Sequence, residues 1–207
     1  MPAQVGMRWC GSSKHSPGAE CNWCDRSVNL YFRLLLLTLR TRLTSSRRGR
    51  GTSLWDEART PFRVAPTDLD PLRHVNNGKY LSLLDLGRYD LLTRSGFWRA
   101  ASERGWYAVV AAQTITYKRS LTLGQRFVLR TRVLGMDERS VYMEQTFVRR
   151  DTVIARAVVQ ARFLHRDGGH VSPAELLAIT GPAPRDLTVP SWVREWADAV
   201  RISSSPR

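Results

Sequence analysis

The sequence predicts an α+β domain: an antiparallel sheet with one long helix packed against it. Three observations carry this. Residues 78–95 (GKYLSLLDLGRYDLLTRS) place Tyr80, Leu84, Gly87 and Leu91 on one face, three or four residues apart. Four later segments alternate apolar and polar residues with a period of two. The links between the last of these segments are too short for anything but antiparallel neighbours.

The elements follow in chain order. Residues 1–27 show no periodicity, are rich in Gly, Ser and Pro, and lack the apolar stretch of a signal peptide. They are expected to be disordered, or to be absent from the natural chain if Val28 is the true start. All three cysteines, Cys10, Cys21 and Cys24, lie there. The Cys21–Cys24 spacing is half a zinc site, and no second pair completes it, so no metal is expected. With no cysteine in the main domain, a reducing compartment is expected.

Residues 30–43 form a Leu-rich run flanked by arginines. It is too short to span a bilayer, which takes about 20 apolar residues. Residues 28–50 therefore suit either a helix lying in an acidic membrane interface or a helix docked on the domain or a partner. Residues 28–54 are read as this basic apolar segment plus linker.

The main domain is expected over residues 55–167. A strand is expected at residues 60–65 and the helix at 78–95, ending near Gly96. Gly87 inside that helix costs about 1 kcal/mol relative to Ala, which a close approach of the sheet backbone would explain. The alternating segments are residues 107–118, 126–135, 140–149 and 152–164. One helix cannot cover both faces of such a sheet, so a second subunit is expected to cover the rest. Residues 168–207 form a C-terminal extension with short helices at about 173–179 and 191–200.

The formal net charge is +14, carried mainly by arginine. Residues 1–55 hold nine basic and two acidic side chains, half of that excess. Anionic partners are plausible on charge. Without a Gly-rich phosphate loop or an RNA-binding motif, nucleic acid is not expected.

Residues 67–80 read TDLDPLRHVNNGKY. Asn76 or Asn77 can cap the helix that follows. The same helix N-terminus offers free N–H groups and partial positive charge to a developing oxyanion. Asp70 nearby could attack a carbonyl or activate a water, and His74 could assist or be a structural histidine.

This run, then a helix with Asp85 and Arg88, then YKRSLTLGQRF, resembles the hotdog-fold acyl-CoA thioesterases. The similarity is to the 4-hydroxybenzoyl-CoA thioesterase-like branch and to the thioesterase superfamily member six group, over about residues 55–166. It implies a hotdog fold, with the sheet wrapped around one long central helix. It implies hydrolysis of a fatty or aromatic acyl-CoA to free acid and CoA, without a cofactor, by a homodimer or homotetramer with the site at the dimer interface. Asp70 would be the nucleophile or general base, and His74, Asn76 and Asn77 would orient the reacting groups. Gly78 and Tyr80 would meet the substrate, Lys118 and Arg119 the CoA phosphates. The apolar groove would run along Leu84, Arg88 and Leu91.

A cytoplasmic protein, peripheral at a membrane through residues 28–50, is the expected setting. A hotdog dehydratase would need a histidine on the central helix, and none is there. The rival from another class is a non-catalytic acyl-binding or membrane-associated hotdog protein.

Overall fold

The computed structural model describes residues 33–35, 37 and 52–202. The readings of residues 1–27, of the cysteines and of most of residues 28–51 lie outside the described residues.

Five strands form one antiparallel sheet: β1 (Ala58–Arg63), β2 (Trp106–Tyr117), β3 (Arg126–Met136), β4 (Val141–Arg149) and β5 (Thr152–His165). Between β1 and β2 lie a 3-10 turn (Pro66–Asp68), the long helix α1 (Asn77–Arg94) and a short helix α2 (Phe97–Glu103) that periodicity did not reveal. Two helices close the chain, α3 (Pro173–Thr180) and α4 (Ser191–Ala199). This is the hotdog arrangement, with α1 against one face of the sheet.

The strand order is β1-β3-β4-β5-β2. The three strands β3, β4 and β5 form the expected meander. β2 does not join β3, which follows it in sequence. It pairs with β5 at the far edge, and its link to β3 passes the mouth of α1 on the way back.

Two-residue alternation sends Leu129, Thr131 and Val133 of β3, and Met143, Gln145 and Phe147 of β4, toward α1. From the helix, Tyr80, Leu84 and Leu91 answer them, none more than 2% exposed. Gly87 sits at the closest approach. A Cβ there would lie 2.5 Å from Leu129 Cδ2 and 3.0 Å from both Gln145 Nε2 and Thr131 Oγ1. Sheet side chains, rather than the expected sheet backbone, account for the glycine. The helix ends at Ser95, and Gly96 follows with φ +73°.

The outer face is covered in part by the chain itself. Val189, Val193 and Ala197 pack on Leu134, Tyr142 and Val158. Val189 comes so close that a Cβ on Gly135 (φ +151°) would meet its Cγ2 at 2.7 Å. The expectation that a second subunit covers this face is corrected for that patch. The cover is local chain, reached because the Pro-rich segment before α4 folds back over the sheet.

Of the Leu-rich run, the described residues are helical and dock on the domain. Leu37 is buried in the main core and Leu34 packs against it. Arg33 donates to the Asp68 carboxylate at 2.6 Å. Among the described residues, no helix is long and apolar enough to cross a membrane.

Candidate active site

The turn before α1 is held by backbone bonds. Asp70 N–H donates to His74 O at 2.8 Å, and Arg73 N–H donates to Asp70 O at 2.9 Å. Arg73, with φ 64°, makes the reversal. The Asp70 carboxylate accepts the His74 N–H at 3.1 Å and is only half-buried. Two residues earlier, Asp68 is 2% exposed and accepts from Ala65 N–H as well as Arg33. The two aspartates of the motif therefore divide the work. Asp68 braces the turn from inside, and Asp70 stays at the surface.

Asn76 is the helix cap. Its Oδ1 accepts the Gly78 N–H at 2.9 Å, and its own N–H donates to Asp68 O. This occupies the Gly78 amide, one of the helix-end N–H groups expected to be free for a carbonyl. The Asn77 N–H remains as a first-turn donor that no helical carbonyl can serve. The β2–β3 link closes the mouth, with Val75 N–H on Leu121 O and a bridge between His74 and Thr122.

The Tyr117 hydroxyl at the end of β2 donates to Asn77 O at 3.4 Å. Lys118 and Arg119 follow directly and are exposed, their backbone N–H groups bonded to Ile154 O. The His74 side chain is exposed.

Tyr80 has a different setting from the one expected. It is 2% exposed, edge-on to Tyr117 and Phe147 with ring centroids 5.1 and 5.0 Å away. Desolvation pushes its phenol above the ordinary value. It supports the mouth from behind.

A cavity of about 400 Å3 lies between α1 and the β2 side of the sheet. Leu86, Tyr89 and Leu92 line it from the helix, with Trp98, Val110 and Phe163 opposite. Of the expected groove residues, only Arg88 lines it. Leu84 and Leu91 are fully buried against the sheet, one helical stripe away. The Asp70 turn stands at the helix end and is outside the cavity lining.

Pattern reading missed a buried polar network at the helix midpoint. Arg88 Nη1 donates to Gln145 Oε1 at 2.7 Å, and Nη2 donates to Asp85. Gln145 Nε2 donates to Leu84 O at 2.9 Å and Thr131 Oγ1 at 3.1 Å. Desolvation lowers the Arg88 pKa, and the charge of Asp85 partly opposes it. The available signal was a glutamine in the inward stripe of β4, between Met143 and Phe147.

A sheet wrapped on one helix, with an acidic turn at that helix's mouth, defines the hotdog thioesterase-like class. Comparison with known families agrees: the Thioesterase-like superfamily model matches residues 64–197, and the chain belongs to that family. It is 43% identical over 100 residues to Protein THEM6 of Danio rerio, covering 48% of this chain and 50% of that protein. It is 42% identical over 99 residues to Protein THEM6 of Xenopus laevis, 48% of each. The match thus spans about half the length of these curated relatives.

Among solved structures, the YbaW probable thioesterase of Escherichia coli superposes with a TM-score of 0.56 at 22% identity, over 58% of this chain and 94% of that one. A 4-hydroxybenzoyl-CoA thioesterase mutant complexed with 4-hydroxybenzoyl-CoA superposes with a TM-score of 0.55 at 15% identity, over 60% and 99%. At these identities the likeness concerns the fold.

Proposed function

We propose that this protein is an acyl-CoA thioesterase that hydrolyses a fatty or aromatic acyl-CoA. The observation that carries this is the placement of the Asp70 carboxylate, surface-held, beside a helix N-terminus whose Asn77 N–H is unused by the cap. The thioester carbonyl oxygen lies on that N–H and the partial positive charge of the helix end. Asp70 either takes a proton from an attacking water or attacks the carbonyl itself. The C–S bond breaks and the CoA thiolate takes up a proton; on the second route a water then hydrolyses the Asp70–acyl anhydride, and on either route the free acid leaves. Asn76 holds the donor in place, His74 positions the Asp70 turn, and Lys118 and Arg119 face the CoA phosphates.

The cavity beside α1 falls in the size range of small-molecule pockets, about 300–1,000 Å3, and its walls suit a hydrocarbon or a ring. The homodimer forms through β2. That strand is twelve residues long, pairs among the described residues only with β5, and exposes Tyr107, Val110 and Tyr117. An unprotected edge of this length invites a second strand, and two copies related by a two-fold axis satisfy each other.

The Asp70 bond to His74 N–H also favours a second reading, in which Asp70 only braces the turn of a non-catalytic acyl-binding protein. Thiol release from short, long and aromatic acyl-CoAs, measured for wild type and Asp70→Asn, separates the two. Asp70-dependent release establishes the hydrolase. Binding without release establishes the acyl binder.

A further inference from the structure

Arg59 and Arg130 face each other across the β1–β3 ladder, and Glu57 serves both, at 2.8 and 4.0 Å. Arg132 and Arg156 are likewise both served by Glu144. Four residues along the same ladder, Arg63 faces Arg126. Val128 is opposite Val148 on β4, and Arg150, in the left-handed turn that follows β4 (φ 47°), lines the same concavity as Arg126. Arg149 adjoins them.

Like charges directly opposite on a sheet repel. Yet among the described residues none of these four arginines is in an ion pair. Asp151, the neighbouring acid, is exposed and forms none. Arg63 Nε is engaged by Gly124 O at 3.1 Å, which fixes its direction. The four arginines surround a concavity of about 470 Å3 also lined by Phe62 and Phe127, whose rings stack at 5.6 Å.

We propose that Arg63, Arg126, Arg149 and Arg150 form a binding site for a phosphate monoester. The sheet neutralises Arg59, Arg130, Arg132 and Arg156 with its own glutamates and leaves this set to an external anion. A concave set of guanidinium forks matches a dianionic phosphate with several charge-assisted hydrogen bonds, which a single carboxylate could not supply to all four. The site is independent of the hydrolysis reading: it uses none of the residues assigned there.

The test is thermal melting of the full chain in inorganic phosphate against chloride at matched ionic strength. Wild type, Arg126→Gln/Arg150→Gln and the surface control Arg185→Gln are compared. Phosphate at ten times its Kd is expected to raise the wild-type and control Tm by about 3–6 °C. The double variant should bind phosphate about tenfold more weakly or worse. Without phosphate it should melt no lower than wild type, because repulsion is relieved. Arg63→Gln provides the same comparison if the double variant fails to fold.

Two further arms identify the source of the phosphate. Protection by CoA but not by 3′-dephospho-CoA, present in wild type and lost in Arg126→Gln/Arg150→Gln, points to a soluble nucleotide at this site rather than at Lys118 and Arg119. Binding to phosphatidic acid vesicles over phosphatidylglycerol vesicles points to a lipid headgroup. Either supports the site. No phosphate-specific shift in wild type, or an equal shift in the double variant, overturns it.

Discussion

The N-terminus and the midpoint of α1 are built on opposite principles. At the mouth, residues 70–78 are joined mainly by short-range backbone bonds, and most are exposed. At the midpoint, Gly87 and Arg88 meet β3 and β4 in the dry interior, through partners 57 residues apart in sequence. The contrast teaches that one helix can carry chemistry at one end and stability in the middle, so the two should be separable by mutation.

The sharpest separation is expected from Asp70→Asn. Loss of the carboxylate should lower kcat about 10²–10⁴-fold, while the amide oxygen still accepts the His74 N–H and the Tm barely moves. Thiol release and thermal melting on the same preparation check this, and a matching collapse of Tm would break the comparison.

Next is Gln145→Leu. It removes the Arg88 acceptor and leaves Leu84 O and Thr131 Oγ1 without their donor. A cost of about 3 kcal/mol is expected in denaturant unfolding. Little change would mean that Asp85 alone holds the guanidinium.

Gly87→Ala gains about 1 kcal/mol of helix propensity but adds a methyl where Leu129 already sits. A net loss of about 1–2 kcal/mol is expected, since overpacking a tight site costs about 1–3 kcal/mol. Asn76→Ala at the mouth should cost about 1 kcal/mol through the lost cap. It should also free the Gly78 N–H, so kinetics on this variant report whether one amide or two serve the carbonyl.

The smallest effect lies on the outer face. The Tyr142 hydroxyl donates to Asp137 at 2.6 Å, and burial together with that carboxylate raises its pKa from 10.0 to about 12. A raised folded pKa means that the neutral phenol contributes stability in full below pH 10, and that this is lost as pH rises toward 12. Melting temperature against pH should show the alkaline decline, and Tyr142→Phe should flatten part of it at the cost of two hydrogen bonds, to Asp137 and from Gln160.

The elements were largely legible because each announces itself locally. Residues 126–135, expected as a strand, became Arg126–Met136, and residues 152–164 became Thr152–His165. Short α2 was missed because seven residues after a left-handed Gly96 hold too little periodicity to read. At the site, a cap at Asn76 or Asn77 was legible, because capping depends on a side chain and amides two residues away, and Asn76 is the one used. That Tyr80 turns inward and that Asp68 is buried were not, because both depend on what packs behind the turn.

By itself the sequence determined the period of every long element, the polar turn at the helix mouth and the family to which both belong. Those are properties of neighbouring residues and survive without a partner. Only the tertiary structure decided that β2 crosses to the edge beside β5, that Arg88 meets Gln145, and that Arg63 stands against Arg126 with no acid between them. Such pairings are set by which faces can be buried together and by the register that results. No local pattern encodes them.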